Sequence, residues 1–434
     1  MPDTAAQLRP DTTSPQAFTQ SAHQFLAAHA EPARAAASTW GSGSDRVSYF
    51  ASGTPEQERE AVQAARRWQR LRYDHGWGWI TGPRQYGGLE LSVQYQMLYH
   101  AAEDEYEVPD TSQLSVVGLG MVGPTILAHG QDHLKDALLP RMYRGESIAC
   151  QLFSEPAAGS DLAGVQSRAV RDGDEWIVNG QKVWTSAAQH ADVGEILCRT
   201  DPQAPKHKGL SAFIIDMDAP GVEIRPLRQM TGGCEFNEVF LTDVRVPDGH
   251  RLGDVDGGWK VALTTLTAER DVVAGVDSPE VARALTAEHL SALMRATYTW
   301  DDRALRRQLA ALLAEAMAVE SLNAMAARKI ETGRPVGPER SIAKLVHARN
   351  VTRAAHFVAE VLGPRIIADN GQWGTFAWSE LLLASPALRI LGGTEEIMKN
   401  ILGEQVLGLP KEPSSLVKDA ASGATPTCAG GQRG

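Results

Sequence analysis

The sequence predicts an α+β chain in which a β domain lies between two helical domains. Three observations lead to this fold class. Apolar residues recur at helical spacing in the first and last thirds of the chain, whereas the middle is rich in β-branched and aromatic residues separated by Pro, Gly and Asp. The 434 residues also exceed the roughly 250 to 300 at which a single hydrophobic core stops growing.

Changes in composition set the expected domain boundaries. The two ends of the chain contain almost nothing large to bury, so we expect them to be disordered. The β-rich composition begins near Ile148 and ends near Gly253. The expected parts are a disordered start at 1–15, an N-terminal helical domain at 16–147, a middle β domain at 148–253, a C-terminal helical domain at 254–412 and a disordered tail at 413–434.

A capping signal marks one helix of the first domain. Thr54 offers an N-cap hydroxyl, Pro55 suits the first helical position, and Gln57 is placed to complete a capping box. Apolar residues follow at helical spacing and predict a helix over about 55–75. They are Val62, Ala65, Trp68 and Leu71.

The middle block contains the strand signals. The segments EWIV and QKVW flank Asn179-Gly180, and Asn-Gly supplies the two positive φ angles of a type I′ turn, so a hairpin is predicted there. Further strands are predicted in segments bounded by Pro, Gly and Asp. They are LSAFIIDM (210–217), GVEIRPL (221–227) and NEVFLTDVRV (237–246).

Two long helices are predicted in the last domain. The first is amphipathic and ends before Gly333 and Pro335. The second runs from about Pro338 to Leu362 and ends where Gly-Pro follows. The apolar stripe of the first helix consists of Leu305, Leu309, Leu312, Ala316 and Val319.

Composition excludes several classes of function. Forty-two Lys and Arg residues against 53 Asp and Glu residues give a net charge of −11, a field that repels nucleic acid and acidic membrane surfaces. The four cysteines are far apart in the sequence and none forms a CxxC motif. This cysteine usage is typical of a protein in a reducing compartment. The start of the chain lacks the apolar stretch of a signal peptide. We therefore expect a cytoplasmic protein without stable membrane insertion.

Two motifs invite a cofactor or metal interpretation that we do not adopt. VVGLGMVGPTILAHG (116–130) contains a literal GxGxxG, but Gly130 interrupts the helix and a second parallel strand is missing, so close helix packing is the favoured role. His129 and His133 are four residues apart, yet the glutamate of an HExxH site is absent and no third ligand is evident. We expect surface histidines and no metal.

A polar loop and a strand end together suggest a ligand site in the β domain. SEPAAGSD (154–161) keeps its side chains small, so backbone donors and hydroxyls can approach a bulky planar ligand. VWTS (183–186) adds an indole and two hydroxyls at the end of a strand. Either segment alone is only a polar turn.

Four segments in this order resemble the signature segments of the acyl-CoA dehydrogenases. The resemblance covers about 25–410 and implies an N-terminal helical domain, a middle β-barrel, a C-terminal four-helix bundle, and FAD whose isoalloxazine ring lies between barrel and bundle. The segments are QLFSEPAAGSDLAG (151–164), DGDEWIVNGQKVWTSAAQHAD (172–192), VFLTDVRVPDGHRLGDVDGGWKVALTTLTAER (239–270) and LRILGGTEEIMKNILGEQVLGLP (388–410).

The resemblance also implies site residues. The flavin contacts fall on Phe153, Ser154, Trp184 and Ser186, and Ser160 matches a serine that contacts the pantetheine arm of acyl-CoA. In the last domain, two residues match positions near the FAD of a neighbouring subunit, which implies a homodimer or homotetramer. These two residues are Thr394 and Glu396.

The catalytic base is the carboxylate that removes the α-proton while hydride leaves the β-carbon. Many family members carry it just before Gly-Thr in the last signature segment, where this chain has Gly392. A second family position precedes an Arg on the first helix of the bundle, and Glu269, followed by Arg270, occupies it. Glu269 shares the apolar stripe of its helix, where desolvation would raise its pKa. We assign Glu269 as the base and Arg270 to the substrate; a buried structural ion pair is the alternative.

Three functions stay open at this stage. The favoured one is an FAD-dependent acyl-CoA dehydrogenase that passes electrons to electron-transfer flavoprotein. The second is a flavoenzyme of the same fold that acts on a carrier-protein-bound acyl group, or as an oxidase or monooxygenase. The third is one subunit of a heteromeric dehydrogenase, because the segments 281–302 and 361–364 depart from the family pattern where a neighbouring FAD is commonly held. The acyl chain cannot be read from the sequence.

Overall fold

The computed structural model describes residues 8–33, 47, 54–273, 281, 284–332, 334, 337–338, 340–367 and 375–411. The expected disorder at 1–7 and 413–434 falls outside this part of the chain. Residues 8–14 differ from the expectation, because they pack on the first domain: Trp77 Nε1 donates to the Leu8 carbonyl (2.8 Å), and the Asp11 amide donates to Ser21 Oγ (3.0 Å).

The N-terminal domain is helical. Its predicted capping box is confirmed: Thr54 Oγ1 accepts from the Gln57 amide, and Gln57 Oε1 accepts from the Thr54 amide. Two short strands, β1 (Glu31–Pro32) and β2 (Tyr106–Glu107), pair antiparallel. The helices are α1 (Pro15–His29), α2 (Pro55–Asp74), α3 (Val93–Glu103), the single turn α4 (Ser112–Leu114), α5 (Gly123–His129) and α6 (Asp132–Tyr143).

The GxGxxG segment is helical throughout. Residues Ser115–Val122 form a π-helix that continues directly into α5. A Cβ added at Gly118 would lie 3.4 Å from the Ala149 amide nitrogen, and one at Gly123 would lie 3.0 Å from Tyr143 Oη. The glycines therefore allow close packing, as predicted, and no dinucleotide-binding strand precedes them.

The middle domain is one eight-stranded sheet. Its order is β10-β7-β6-β4-β5-β9-β8, and β3 pairs in parallel with β6. The strands are β3 (Ala149–Leu152), β4 (Arg168–Asp172), β5 (Glu175–Ser186), β6 (Val193–Arg199), β7 (Leu210–Asp216), β8 (Val222–Leu227), β9 (Phe236–Pro247) and β10 (Arg251–Leu252).

Two expectations about this domain are corrected. The sheet is not a closed barrel, because the end strands β8 and β10 do not pair with each other within residues 149–252, and β10 is only two residues long. Asn179-Gly180 is not a hairpin turn, because β5 runs straight through it. The chain turns instead at Gly173-Asp174, where Gly173 has a φ of +63°.

Asn179-Gly180 occupies an irregularity in the pairing of β5 with β9. Asn179 Nδ2 donates to Asp243 Oδ1, and the Asp243 amide donates to Asn179 Oδ1. The register shifts between Val178 and Gly180, as at a β-bulge. A Cβ at Gly180 would lie 2.1 Å from Ser167 Oγ, so close backbone approach explains the glycine.

The C-terminal domain is helical and has its own core. The predicted long helices are confirmed as α9 (Arg303–Glu331) and α10 (Arg340–Leu362), which pack on each other. The window 303–326 of α9 is long and apolar enough to cross a membrane by length and composition, although only 17% of it is buried. The other helices are α7 (Gly258–Val273), α8 (Ala287–Ala296), α11 (Thr375–Leu388) and α12 (Glu395–Ile401).

Helix α7 connects the three domains. It packs against the π-helix and α5 of the first domain, against β6 and β7 of the sheet, and against α10 of the last domain. Val261 and Ala262 are buried in the same core cluster as Ala149 and Leu197 of the sheet. Any group on the sheet-facing side of α7 therefore lies where all three domains meet.

Candidate active site

The loop after β3 is held against β5 by the backbone. The Val183 amide donates to the Ser154 carbonyl (2.9 Å), and Glu155 and Ala158 exchange two backbone hydrogen bonds within the loop. Gly159 has no neighbour within 4 Å of an added Cβ, and Ser160 beside it is exposed. The small side chains thus leave the tip of the loop open, as the sequence suggested.

A buried ion pair lies beneath this loop. Lys182 is fully buried and its Nζ donates to Glu155 Oε1 (2.8 Å), to the Phe153 carbonyl (3.1 Å) and to the Leu197 carbonyl (2.8 Å). Burial alone would raise the pKa of Glu155, but the Lys182 ammonium and three hydrogen bonds hold the pKa below its usual value. The ion pair fixes the loop to two strands.

The end of β5 presents an aromatic ring to the surface. Trp184 is 60% exposed and has a φ of +59°, a region that bulky residues rarely adopt. The pairing of β5 with β9 shifts at this point, and Phe236 supports the indole edge at a centroid distance of 5.9 Å. An exposed, strained Trp at a strand end is typical of a binding surface.

Residues with hydroxyl groups lie next to Trp184 in the chain and in the loop that is bonded to Val183. Within the described part of the chain, the hydroxyls of Ser154 and Ser186 make no hydrogen bond, and the buried Thr185 Oγ1 also has no partner. An exposed indole beside free hydroxyls and a small-residue loop fits a planar heterocycle with hydrogen-bonding edges. The predicted residues Phe153, Ser154, Trp184 and Ser186 are therefore brought together at one end of the sheet.

Glu269 lies on the sheet-facing side of α7. Burial raises the pKa of its carboxyl, while Gln151, Arg270 and Lys344 act in the opposite direction. Gln151 on β3 faces the carboxyl, although Gln151 Nε2 is buried without a hydrogen bond of normal geometry. Because β3 leads directly into Phe153 and Ser154, Glu269 lies on the same side of the sheet as the start of the loop.

Lys344 on α10 connects Glu269 to the last signature segment. Its ammonium donates to the Gly393 carbonyl (2.6 Å) and interacts electrostatically with Glu395 and Glu269. Burial lowers the pKa of Lys344, and the two carboxylates only partly offset this. The loop that contains Gly392 and the carboxyl of Glu269 therefore face a common ammonium group.

Other predicted residues lie outside this cluster. Thr394 caps α12, with Oγ1 accepting from the Ile397 amide (3.2 Å), and Glu396 is largely exposed beside Lys399. Arg270 is half-buried and its Nη2 donates to Thr267 Oγ1 (2.9 Å). The structure therefore does not bring these residues to the Trp184 ring within one chain.

Two polar residues of the sheet, one buried and one half-buried, were missed by the sequence analysis. Glu195 and Gln151 are directly paired on β6 and β3. Glu195 is 0% exposed, and Thr265 Oγ1 of α7 donates to its Oε1 (2.7 Å), while Oε2 has no partner among the described residues. Burial raises the pKa of Glu195 to about 8. The signal was a lone glutamate in the apolar strand VGEILC.

The two histidines considered as metal ligands contact different parts of the chain. His129 Nε2 lies 2.8 Å from Thr264 Oγ1 of α7, and burial lowers the pKa of His129. His133 lies beside Gly249, where an added Cβ would be 2.8 Å from the His133 Nε2. His129 therefore packs against α7, and His133 packs against the turn that joins β9 to β10.

Family models match the chain along its length. The N-terminal domain model of the acyl-CoA dehydrogenases matches residues 12–146, the middle domain model matches 150–244, and the C-terminal domain model matches 256–407. The chain belongs to the acyl-CoA dehydrogenase family. It is thus an oxidoreductase that acts on the Cα–Cβ bond of an acyl-CoA thioester.

Individual proteins agree with this assignment. The acyl-CoA dehydrogenase IpdE1 of Mycobacterium tuberculosis is 35% identical over 361 residues, which cover 83% of this chain and 92% of that protein. The structure of the Tcur3481-Tcur3483 steroid acyl-CoA dehydrogenase, G363A variant, superposes with a TM-score of 0.68 at 28% identity and covers 83% of this chain and 95% of that chain. The ChsE4-ChsE5 complex of Mycobacterium tuberculosis gives a TM-score of 0.63 at 28% identity, covering 84% and 100%.

Removal of the buried ammonium should destabilise the protein strongly. Lys182→Met leaves Glu155 buried without its cation, so we expect the free energy of unfolding to fall by about 3 to 5 kcal/mol. The double variant Lys182→Met, Glu155→Gln should recover part of this loss, because no charge remains buried. Chemical denaturation measures the free energy of unfolding of both variants.

Lys206→Met, which removes the exposed partner of Asp161, is the matched control and should lower the free energy of unfolding by less than about 1 kcal/mol. Equal losses in both single variants would contradict the role of Lys182.

Glu195 should make stability depend on pH in an unusual direction. Its pKa is about 8 in the folded chain and near 4.5 when unfolded, so the folded state binds more protons between these values. Stability should therefore be lost as pH rises through this window, by up to about 1.4 kcal/mol per pH unit from this group. Glu195→Gln cannot ionise and should lack this component. The measurement is denaturation of both proteins from pH 5 to 8; a constant difference between them would contradict the assignment.

Proposed function

We propose that Glu269 is the general base that removes the α-proton of the acyl-CoA thioester. The observation that carries the proposal is the position of this carboxyl on α7, beside Gln151 on the strand that leads into Phe153 and Ser154. A carboxyl on this side of the helix faces the meeting point of the three domains, where an acyl group can be enclosed.

The surroundings of Glu269 suit a base. Burial raises its pKa, which makes the carboxylate a stronger proton acceptor. Gln151, Arg270 and Lys344 act in the opposite direction and favour the carboxylate form. After proton transfer the carboxyl is neutral, and its burial then favours that state.

FAD is the cofactor in this proposal. Phe153, Ser154, Trp184 and Ser186 would hold the flavin, with the exposed indole against the ring and the two free hydroxyls at its polar edge. When bound, FAD supplies the acceptor for the β-hydride. The orphaned Thr185 Oγ1 and the strained Trp184 backbone are the features of this structure that fit such a group.

The thioester itself would enter past the open loop. Ser160 stands at the exposed tip, where its hydroxyl can contact the pantetheine arm, and Arg270 lies next to the base. The small side chains at 157–160 leave room for the arm to pass.

Glu269→Gln should lose the proton transfer and keep the cofactor. General-base catalysis contributes about 10²- to 10⁴-fold, so we expect reduction of the flavin by the best substrate from a panel of straight, branched and cyclic saturated acyl-CoA thioesters to slow by that factor. Stopped-flow absorbance at the flavin band measures it, and the FAD content should be unchanged.

Glu288→Gln is the matched control, because Glu288 is exposed on α8. It should reduce its flavin at the wild-type rate. Near-normal flavin reduction in Glu269→Gln would overturn the assignment of the base, while leaving the family assignment intact.

We also propose a cytoplasmic homo-oligomer that delivers electrons to electron-transfer flavoprotein. Thr394 and Glu396 lie on the outer surface of one chain, where they can contact the FAD of a neighbour. The last domain exposes large apolar side chains that a neighbouring subunit would cover. They include Met317, Met325, Leu383 and Ile390.

Assembly and electron acceptor can both be tested on the purified protein. Light scattering should give a dimer or tetramer that contains FAD. The substrate-reduced enzyme should be reoxidised quickly by electron-transfer flavoprotein and slowly by oxygen, as followed by stopped flow. A flavin-free monomer would instead indicate a heteromeric enzyme like the ChsE4-ChsE5 complex, and rapid oxygen consumption would indicate an oxidase.

A further inference from the structure

A polar pair stands on the apolar side of the sheet that faces α7. Gln151 and Glu195 are direct partners in the parallel ladder of β3 and β6, so their side chains lie on the same face. Their neighbours on that face, Ala149 and Leu197, belong to the apolar core shared with α7. Two polar side chains in this position need a specific reason, because buried polar groups are costly without partners.

The helix carries matching polar groups one turn apart. Thr265 and Glu269 are four residues apart, so they lie on one face of α7 about 6 Å apart along its axis. Thr265 meets Glu195, and Glu269 meets Gln151. The polar positions of the sheet and of the helix therefore correspond in pairs.

Thr265 is held from two domains at once. Its Oγ1 donates to Glu195 Oε1 (2.7 Å) and lies 2.9 Å from Thr125 Oγ1 of α5. A hydroxyl donates once and accepts twice, so both contacts can exist together. Thr125, Thr265 and Glu195 are fully buried, so water cannot replace a lost contact.

We propose that the hydrogen bond between Glu195 and Thr265 fixes the rotation of α7 on the sheet and thereby directs the Glu269 carboxyl. Apolar contacts alone would tolerate a helix that turns or slides by a fraction of a residue. The Glu195 carboxyl does not tolerate this. Its Oε2 already has no partner among the residues that the structure describes, so loss of the Oε1 contact would leave both oxygens without one there. Glu195 and Thr265 are thus positioning residues, and the inference rests on Glu269 being the base.

The groups that face these carboxyls are few. Glu195 is met by Thr265 from α7, and Gln151 stands beside it on β3. Glu269 is met by Gln151 from the sheet and by Lys344 from α10, with Arg270 next to it on its own helix. No titratable side chain adds to burial in shifting the pKa of Glu195. Glu195 and Thr265 therefore affect the Glu269 carboxyl by fixing the position of α7.

The test measures proton removal without hydride transfer. The FAD-containing enzyme is reduced in advance, mixed with a saturated acyl-CoA in D₂O, and the exchange of the α-proton is followed by NMR. Thr265→Val keeps the shape but lacks the hydroxyl, and it should slow exchange about tenfold with a change of less than about twofold in KM. Thr265→Ser, which keeps the hydroxyl, should return the rate to within about threefold of wild type.

Thr264→Val is the matched control. It removes a different hydroxyl contact of α7, to His129, on another face of the helix, so it should lower the melting temperature while leaving exchange within about twofold of wild type. A second readout needs no turnover: the infrared band of the neutral Glu195 carboxyl should shift in Thr265→Val, vanish in Glu195→Gln and stay in place in Thr264→Val.

The outcomes separate the two proposals. If Thr265→Val exchanges as fast as Thr264→Val, or if Thr265→Ser does not restore the rate, the positioning role is wrong while the base assignment stands. If Glu269→Gln exchanges the α-proton as fast as wild type, the base assignment itself is wrong, and the positioning role falls with it. An unchanged infrared band in Thr265→Val would also overturn the positioning role.

Discussion

The buried ion pair of Lys182 with Glu155 is the interaction on which the site depends. One fully buried ammonium meets a carboxylate and two backbone carbonyls, so it ties the end of β3, the following loop and β5 to one another. Glu155 in turn accepts from the amides of Gln166 and Ser167 at the far side of the loop. A pair of this kind adds little net stability compared with an apolar core, but it permits only one arrangement of the loop. The open tip at Gly159 and Ser160 and the presentation of Ser154 follow from that arrangement.

Much of the fold could be predicted because its signals are local. The capping box at Thr54, the stripe along α9 and the end of α10 at Gly363 each depend on residues within a few positions of one another, and all three are present as predicted. The loop at Ser154 and the ring of Trp184 were found together only through the family resemblance. Nothing in either segment alone indicates that β3 and β5 end side by side.

The errors concern features set by distant residues. Asn179-Gly180 has the composition of a turn, but pairing with β9 and the close approach of Ser167 make it part of a strand. Closure of the sheet depends on whether its end strands meet, and no local pattern encodes that. Glu195 and Lys344 were missed for the same reason, since a charged residue in a strand or helix becomes informative only when its burial and partners are known.

The other family position for the base is residue 392, and the backbone conformation there explains why the base of this chain lies on α7. Gly392 has a φ of +64° and Gly393 a φ of +92°, so the loop adopts a conformation that side chains other than Asn and Asp rarely accept. A glutamate at 392 would be strained, and it would add a carboxylate to the loop that already contacts Lys344 through the Gly393 carbonyl. Lys344 already interacts with the carboxylates of Glu269 and Glu395, so a further acid in this loop would raise the pKa of Glu269. Glycine in this loop therefore suits a chain whose base lies on α7. The left-handed turn also directs the Gly393 carbonyl at Lys344.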